Sequence, residues 1–128
     1  MWIRKVKLNT GCIMILLLLL LGCASNPQGT NPAAVKVNLL TDPPTVQTSK
    51  PIKLKAEVIG IDIAEDLQVQ FDIRKPNRNA LPDLLEAKLE DGQFVTEKTF
   101  EQTGTYTVYI HVYQGELHIT KKKELTVS

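Results

Sequence analysis

Cysteine, methionine and histidine are scarce in this chain of 128 residues, with two of each. Both cysteines (Cys12 and Cys23) and both methionines (Met1 and Met14) fall within the first 23 positions. From residue 24 onward no thiol remains, which excludes an internal disulfide and a cysteine nucleophile there. Serine is nearly as rare. Ser25, Ser49 and Ser128 are the whole set, and none stands in a pattern with His and Asp that would suit a nucleophilic triad. There is no glycine-rich phosphate loop. Asp62, Glu65, Asp66 and Asp83 do not follow the spacing of a calcium loop. After residue 22, twelve Lys and Arg stand against fourteen Asp and Glu, a net charge of −2, so no basic footprint for nucleic acid is present. Enzyme activity is not expected from such a set.

Charge and hydropathy are instead patterned sharply at the start. Arg4, Lys5 and Lys7 form a basic head, and ten apolar residues follow without a break from Cys12 to Leu21. Ten residues make about 15 Å of helix, half of a ~30 Å hydrocarbon core, too short for a stable span. A basic head, a short apolar middle and a small-residue exit predict a secretory signal peptide over residues 1–22. The exit, Leu20-Leu21-Gly22-Cys23, resembles the bacterial lipoprotein box. That resemblance implies cleavage after Gly22 and a thioether to diacylglycerol on Cys23, with palmitate-type acyl chains. Two or more chains anchor a protein stably where one does not. The alternative is ordinary secretory cleavage leaving a free thiol. On the lipoprotein reading the membrane is a partner through Cys23. The protein then sits on the outer face of the bacterial cytoplasmic membrane, or at the outer membrane in a host that has one. Residues 23–34 hold Pro, Gly, Asn, Ser and Thr without charge or a large apolar side chain, and read as the lipidated cysteine and a flexible tether.

The remaining residues, 35–128, read as one all-β domain. VKVNLL (35–40) is a first strand, and TDPPTVQTS (41–49) a loop. Ile52, Leu54, Ala56 and Val58 alternate with Lys53, Lys55 and Glu57, the period of a strand with one wet face. Leu67, Val69, Phe71 and Ile73 repeat it, with Gln68, Gln70, Asp72 and Arg74 outward. KPNRNALPD (75–83) is a loop. Residues 84–100 predict a hairpin about Asp91-Gly92, since both residues tolerate positive φ. Leu85, Ala87 and Leu89 alternate before that turn. Pattern alone does not fix whether Phe94 or Val95 faces inward. In 103–113, Tyr106, Val108, Ile110 and Val112 take one face, and Thr107, Tyr109, His111 and Tyr113 the other. KKELTV closes the chain.

About seven short alternating strands in roughly a hundred residues predict an immunoglobulin-like antiparallel β-sandwich, here without a disulfide. In EQTGTYTV, Tyr106 follows Gly104 by two residues at the start of a late strand. It is a candidate for a tyrosine corner, whose phenol bonds back to nearby backbone; the alternative is a plain core aromatic. GTYTVYIHV (104–112), the polar excursion with His118, and TKKKELTV (120–127) resemble the YtkA-like domain family, with weaker support from VQFDIRKP (69–76). The resemblance covers most of residues 35–127. It implies a small extracytoplasmic sandwich of the immunoglobulin kind, often carried on lipoproteins, and a longer loop around His118. Related extracytoplasmic domains are linked to metal handling, copper above all. Members carry a methionine in the histidine-bearing excursion, and this chain has none there.

His111 and His118 are the chain's only histidines. A two-residue turn at Gln114-Gly115 would set them directly opposite each other, with Cβ atoms about 5 Å apart. Two imidazoles so placed could share Cu(II) or Zn(II), with Glu116 or Tyr113 assisting. The competing reading is His111 packed beside Tyr109 and Tyr113 as ordinary surface, with no cofactor. Lys121, Lys122 and Lys123 read as a solvated edge before they read as a lipid-headgroup contact. Two expectations follow. One is a monomeric, non-catalytic, lipid-anchored module with an unidentified extracytoplasmic protein partner. The other is a copper- or zinc-binding accessory domain using His111 and His118.

Overall fold

The structure, a computed structural model, describes residues 30–128. The expected leader at 1–22, the lipidation site Cys23 and the tether up to residue 29 lie outside the described residues. The two-residue alternation sets the fold, because every strand must turn its apolar parity away from water. There are eight strands, and all but the short β5 follow that rule: β1 (Lys36–Asp42), β2 (Pro51–Ile59), β3 (Gln68–Arg74), β4 (Asp83–Glu86), β5 (Lys88–Glu90), β6 (Gln93–Thr99), β7 (Gly104–Gln114) and β8 (Leu117–Val127). They form two antiparallel four-stranded sheets, ordered β1-β2-β6-β5 and β4-β3-β7-β8. This is an all-β sandwich with the strand order of an immunoglobulin domain, one sheet carrying an extra strand. The described residues contain no cysteine, so packing alone holds the sheets together.

The core sits between the sheets. Ile52, Leu54, Ala56 and Val58 from β2 meet Val69, Phe71 and Ile73 from β3 and Val108, Ile110 and Val112 from β7, all buried. Each large one is worth roughly 1.5–3 kcal/mol relative to exposure. Tyr106 is buried too. Its hydroxyl donates to the Gln102 carbonyl at 2.8 Å, the geometry of a tyrosine corner, and its ring meets Phe100 edge-on at 4.8 Å. Gly104 lies against Pro76, where a Cβ would come within 2.8 Å of the ring.

Several sequence expectations are corrected. Residues 84–90 are not one hairpin arm. The chain changes sheets at Ala87, whose N–H bonds to the Val69 carbonyl, so β4 pairs with β3 and β5 with β6. This switch makes eight strands from an expected seven. It also leaves Leu89 exposed, because parity does not carry across a change of sheet. The Asp91-Gly92 turn has positive φ at both residues, 49° and 78°, and joins β5 to β6. Phe94 and Phe100 join the core cluster, and Val95 is buried on the opposite side of β6, against Lys55 and Lys88. Within the expected first loop, β1 runs on to Asp42, and buried Val46 pairs in parallel with Val127. Inside the expected tether, Pro32–Ala34 form a 3-10 turn capped by Asn31.

The last strand starts at Leu117, well before KKELTV. On this edge strand Lys121 and Lys123 take the core-facing side opposite Ile110 and Val108 and are half-buried. Inward-pointing edge lysines discourage pairing with another sheet.

Candidate functional site

The outward face of the β4-β3-β7-β8 sheet gathers the chain's chemistry. Its register places Gln70 beside His111, Asp72 beside Tyr109, His111 beside Thr120 and Tyr113 beside His118. The β7–β8 turn is made by Gly115 and Glu116, with Gly115 at φ 57°, and replaces both the Gln114-Gly115 turn and the longer loop that the family resemblance implies. His118 therefore faces Tyr113, not His111, and His111 faces Thr120. The partner has moved by two residues, so parity survives and both histidines keep the outward face.

The two rings converge on the diagonal. His111 Nδ1 and His118 Nε2 lie 3.1 Å apart. Thr120 Oγ1 is 3.1 Å from His111 Nδ1 and 3.4 Å from His118 Nε2. Tyr113 stacks on His118 with centroids 4.3 Å apart and planes 19° from parallel, which fixes the plane of an otherwise exposed imidazole. Glu116, the other helper the sequence suggests, sits in the turn.

Asp72 supports His111 from behind. Its Oδ2 stands 3.6 Å from His111 Nε2, the ring nitrogen facing away from His118. Asp72 is outward by parity, as the alternation requires, yet only 5% exposed. Arg74, two residues on and so on the same face, explains why a carboxylate tolerates that burial. Its Nε and Nη2 donate to the two Asp72 oxygens at 3.0 and 2.9 Å, a bidentate fork. The guanidinium lies over Tyr109, 5.3 Å from the ring centroid. The Arg74 hydrogen bonds hold the Asp72 carboxyl below its ordinary pKa, against the opposing effect of burial, and His111 adds to the lowering. The same pairing raises Arg74.

Tyr109, Arg74, Asp72, His111, Thr120, His118 and Tyr113 thus form one connected string across three strands. Sequence reasoning reached the histidines and tyrosines. It missed Thr120 and the burial of Asp72, although the outward parity of 72, 74, 109, 111, 118 and 120 was the signal that could have joined them. Asp72 addresses the far nitrogen of His111 and does not enter the converging group. Among the described residues no cluster of three or more His, Cys, Asp or Glu is arranged around one point. A cleft of about 510 Å3 opens at the other end of this face, lined by Arg74, Lys75, Arg78, Thr105, Thr107 and Tyr109. It shares Arg74 and Tyr109 with the string but not the histidines.

No family model matches the chain, and no curated protein matches it. Among solved structures it is similar to an engineered protein known from a crystal structure. The TM-score is 0.57 at 17% identity, over 77% of this chain and 21% of that one. It is also similar to Pseudomonas fluorescens alkylpurine DNA glycosylase AlkC bound to DNA containing an abasic site analog, with a TM-score of 0.49 at 17% identity, over 73% of this chain and 30% of that one. The chain spans less than a third of either protein's length. What these comparisons establish is the sandwich fold of the first similarity.

Proposed function

We propose that this protein is a non-catalytic, lipid-anchored extracytoplasmic module of the YtkA-like kind, which binds a protein partner through the outward face of the β4-β3-β7-β8 sheet. The observation that carries the reading is the gathering of both histidines and two of the three tyrosines on that face, with an Arg74–Asp72 fork against His111 and Tyr109. Stacked, preset rings lose little side-chain entropy on contact, which suits them to recognition. Leu84, 58% exposed and beside Asp72 in the register, adds apolar area to the same face. The Leu20-Leu21-Gly22-Cys23 box supports the anchor. Two measurements test the reading. Mass spectrometry of the native N-terminus is expected to find diacylglyceryl-Cys23, and Cys23→Ser to release the protein from membranes or leave it unprocessed. Cross-linking in intact cells is expected to capture a partner through Tyr109 or Tyr113. An unmodified Cys23 ends the anchor, and cross-links confined to the β1-β2-β6-β5 sheet end the assignment of the face.

A second reading is an extracytoplasmic copper- or zinc-binding accessory domain. The 3.1 Å approach of His111 Nδ1 to His118 Nε2 favours it.

A further inference from the structure

Neighbouring ligands around one small ion must themselves be close. With metal–nitrogen distances near 2.0–2.1 Å and ligand angles between a right angle and a tetrahedral one, adjacent donor atoms lie roughly 2.9–3.4 Å apart. The three distances joining His111 Nδ1, His118 Nε2 and Thr120 Oγ1 are 3.1, 3.1 and 3.4 Å. A triangle of that size has its vertices about 1.9 Å from its centre, so an ion just above its plane reaches all three at normal bond length.

The geometry points to a three-point site for a divalent late transition-metal ion, built from His111 Nδ1, His118 Nε2 and Thr120 Oγ1, with Asp72 as the residue that positions His111. It rests on the second reading above and adds to it a third donor, the ligating ring atoms and a positioning carboxylate.

The roles follow from the donors. Two neutral imidazoles suit Cu(II), Ni(II) and Zn(II), with Cu(II) bound most tightly in the ordinary order of affinities. The described residues include no cysteine or methionine, and so offer no thiolate or thioether donor that would favour Cu(I). Thr120 offers a neutral oxygen, and the solvent side of the sheet leaves room for water to complete the shell. Asp72 favours a proton on Nε2 of His111, which turns the Nδ1 lone pair toward His118 and Thr120. At 3.6 Å this is electrostatic support short of a hydrogen bond, on the side of the ring where a metal-binding histidine commonly has a carboxylate. Arg74 fixes both Asp72 oxygens, and Tyr113 fixes the plane of His118. Without metal, the 3.1 Å contact is satisfied when His118 Nε2–H donates to His111 Nδ1. Metal binding moves that proton to the other nitrogen of His118, a tautomeric change with no net charge.

The test uses the full chain in detergent micelles, without a polyhistidine tag, titrated with Cu(II) and Zn(II) against a competing chelator. Wild type is expected to bind one Cu(II) more tightly than Zn(II), with nitrogen hyperfine structure from two imidazoles in its electron paramagnetic resonance spectrum. His111→Ala and His118→Ala are expected to abolish that site. Asp72→Asn is expected to weaken it about 10- to 100-fold, and Thr120→Val to weaken it about tenfold by removing one donor. Long-range nitrogen NMR of the metal-free protein separates positioning from mere stability: His111 is expected as the Nε2–H tautomer in wild type and as a mixture in Asp72→Asn. Failure of wild type to bind either ion overturns the second reading, and this inference with it. Binding that needs both histidines but is unchanged in Thr120→Val and Asp72→Asn overturns the inference and leaves the two-histidine reading standing. Thr120 is exposed, so its variant keeps the test decisive if Asp72→Asn does not fold.

Discussion

The two outward faces of the sandwich have the same strand geometry and opposite characters. On the β1-β2-β6-β5 sheet, Lys53 meets Glu90 at 3.7 Å and Lys55 meets Asp42 at 3.8 Å, with most of these heads well exposed. Asn38 donates to Glu57 at 3.1 Å, between exposed side chains. Exposed contacts of these kinds are screened and worth little. On the β4-β3-β7-β8 sheet the polar groups are interlocked, with a buried carboxylate held by a bidentate arginine among them. Solubility explains the first face. The second spends burial on polar groups that a merely solvated surface would leave in water. This contrast is the reason for assigning function to one sheet and not the other.

Emptying the support common to both faces gives the largest effect. Phe71 lies under Asp72 on the same strand and is fully buried, and Phe71→Ala is expected to cost about 3–5 kcal/mol in chemical denaturation. Asp72→Asn comes next, at about 1–2 kcal/mol, because the half-exposed Arg74 head can rehydrate when its fork is lost. The same carboxylate gives the face an acid limit. Its pKa is lowered in the folded state, so its contribution is complete above the unfolded value near pH 4 and drains away as the pH falls through the lowered one. A pH series of denaturation midpoints is expected to show wild type losing its margin over Asp72→Asn only in that acid range. A constant margin down to pH 2 would mean the fork is not what Asp72 supplies. Tyr106→Phe, which removes the bond to Gln102, is expected to cost about 1 kcal/mol. The smallest effect belongs to the other face. Glu90→Gln is expected to change stability by less than about 0.5 kcal/mol, and a cost equal to that of Asp72→Asn would erase the contrast between the sheets.

Much of the fold was legible because alternation in β2, β3 and β7 admits one burial pattern. Residues 84–90 were not legible, since Leu85, Ala87 and Leu89 alternate as one strand would, and the change of sheet at Ala87 depends on a bond to Val69 far away in sequence. Half of the candidate site was legible in the same way. Outward parity gave Tyr109, His111 and Tyr113, and scarcity drew attention to His118. The position of the turn then decided which residues meet. A turn at Gly115-Glu116 rather than Gln114-Gly115 shifts every cross-strand partner by two, which brings Thr120 between the imidazoles and stacks Tyr113 on His118.

Composition and period by themselves settled that this chain builds a cysteine-free sandwich after residue 23, and which face of β2, β3 and β7 its core strands bury. Those properties are local, because burial follows from side-chain parity along a single strand. Register, the sheet switch and the Arg74–Asp72–His111 alignment were decided by tertiary structure alone. Each depends on which strand lies alongside which, and pairing energies between distant segments leave no periodic trace in either segment.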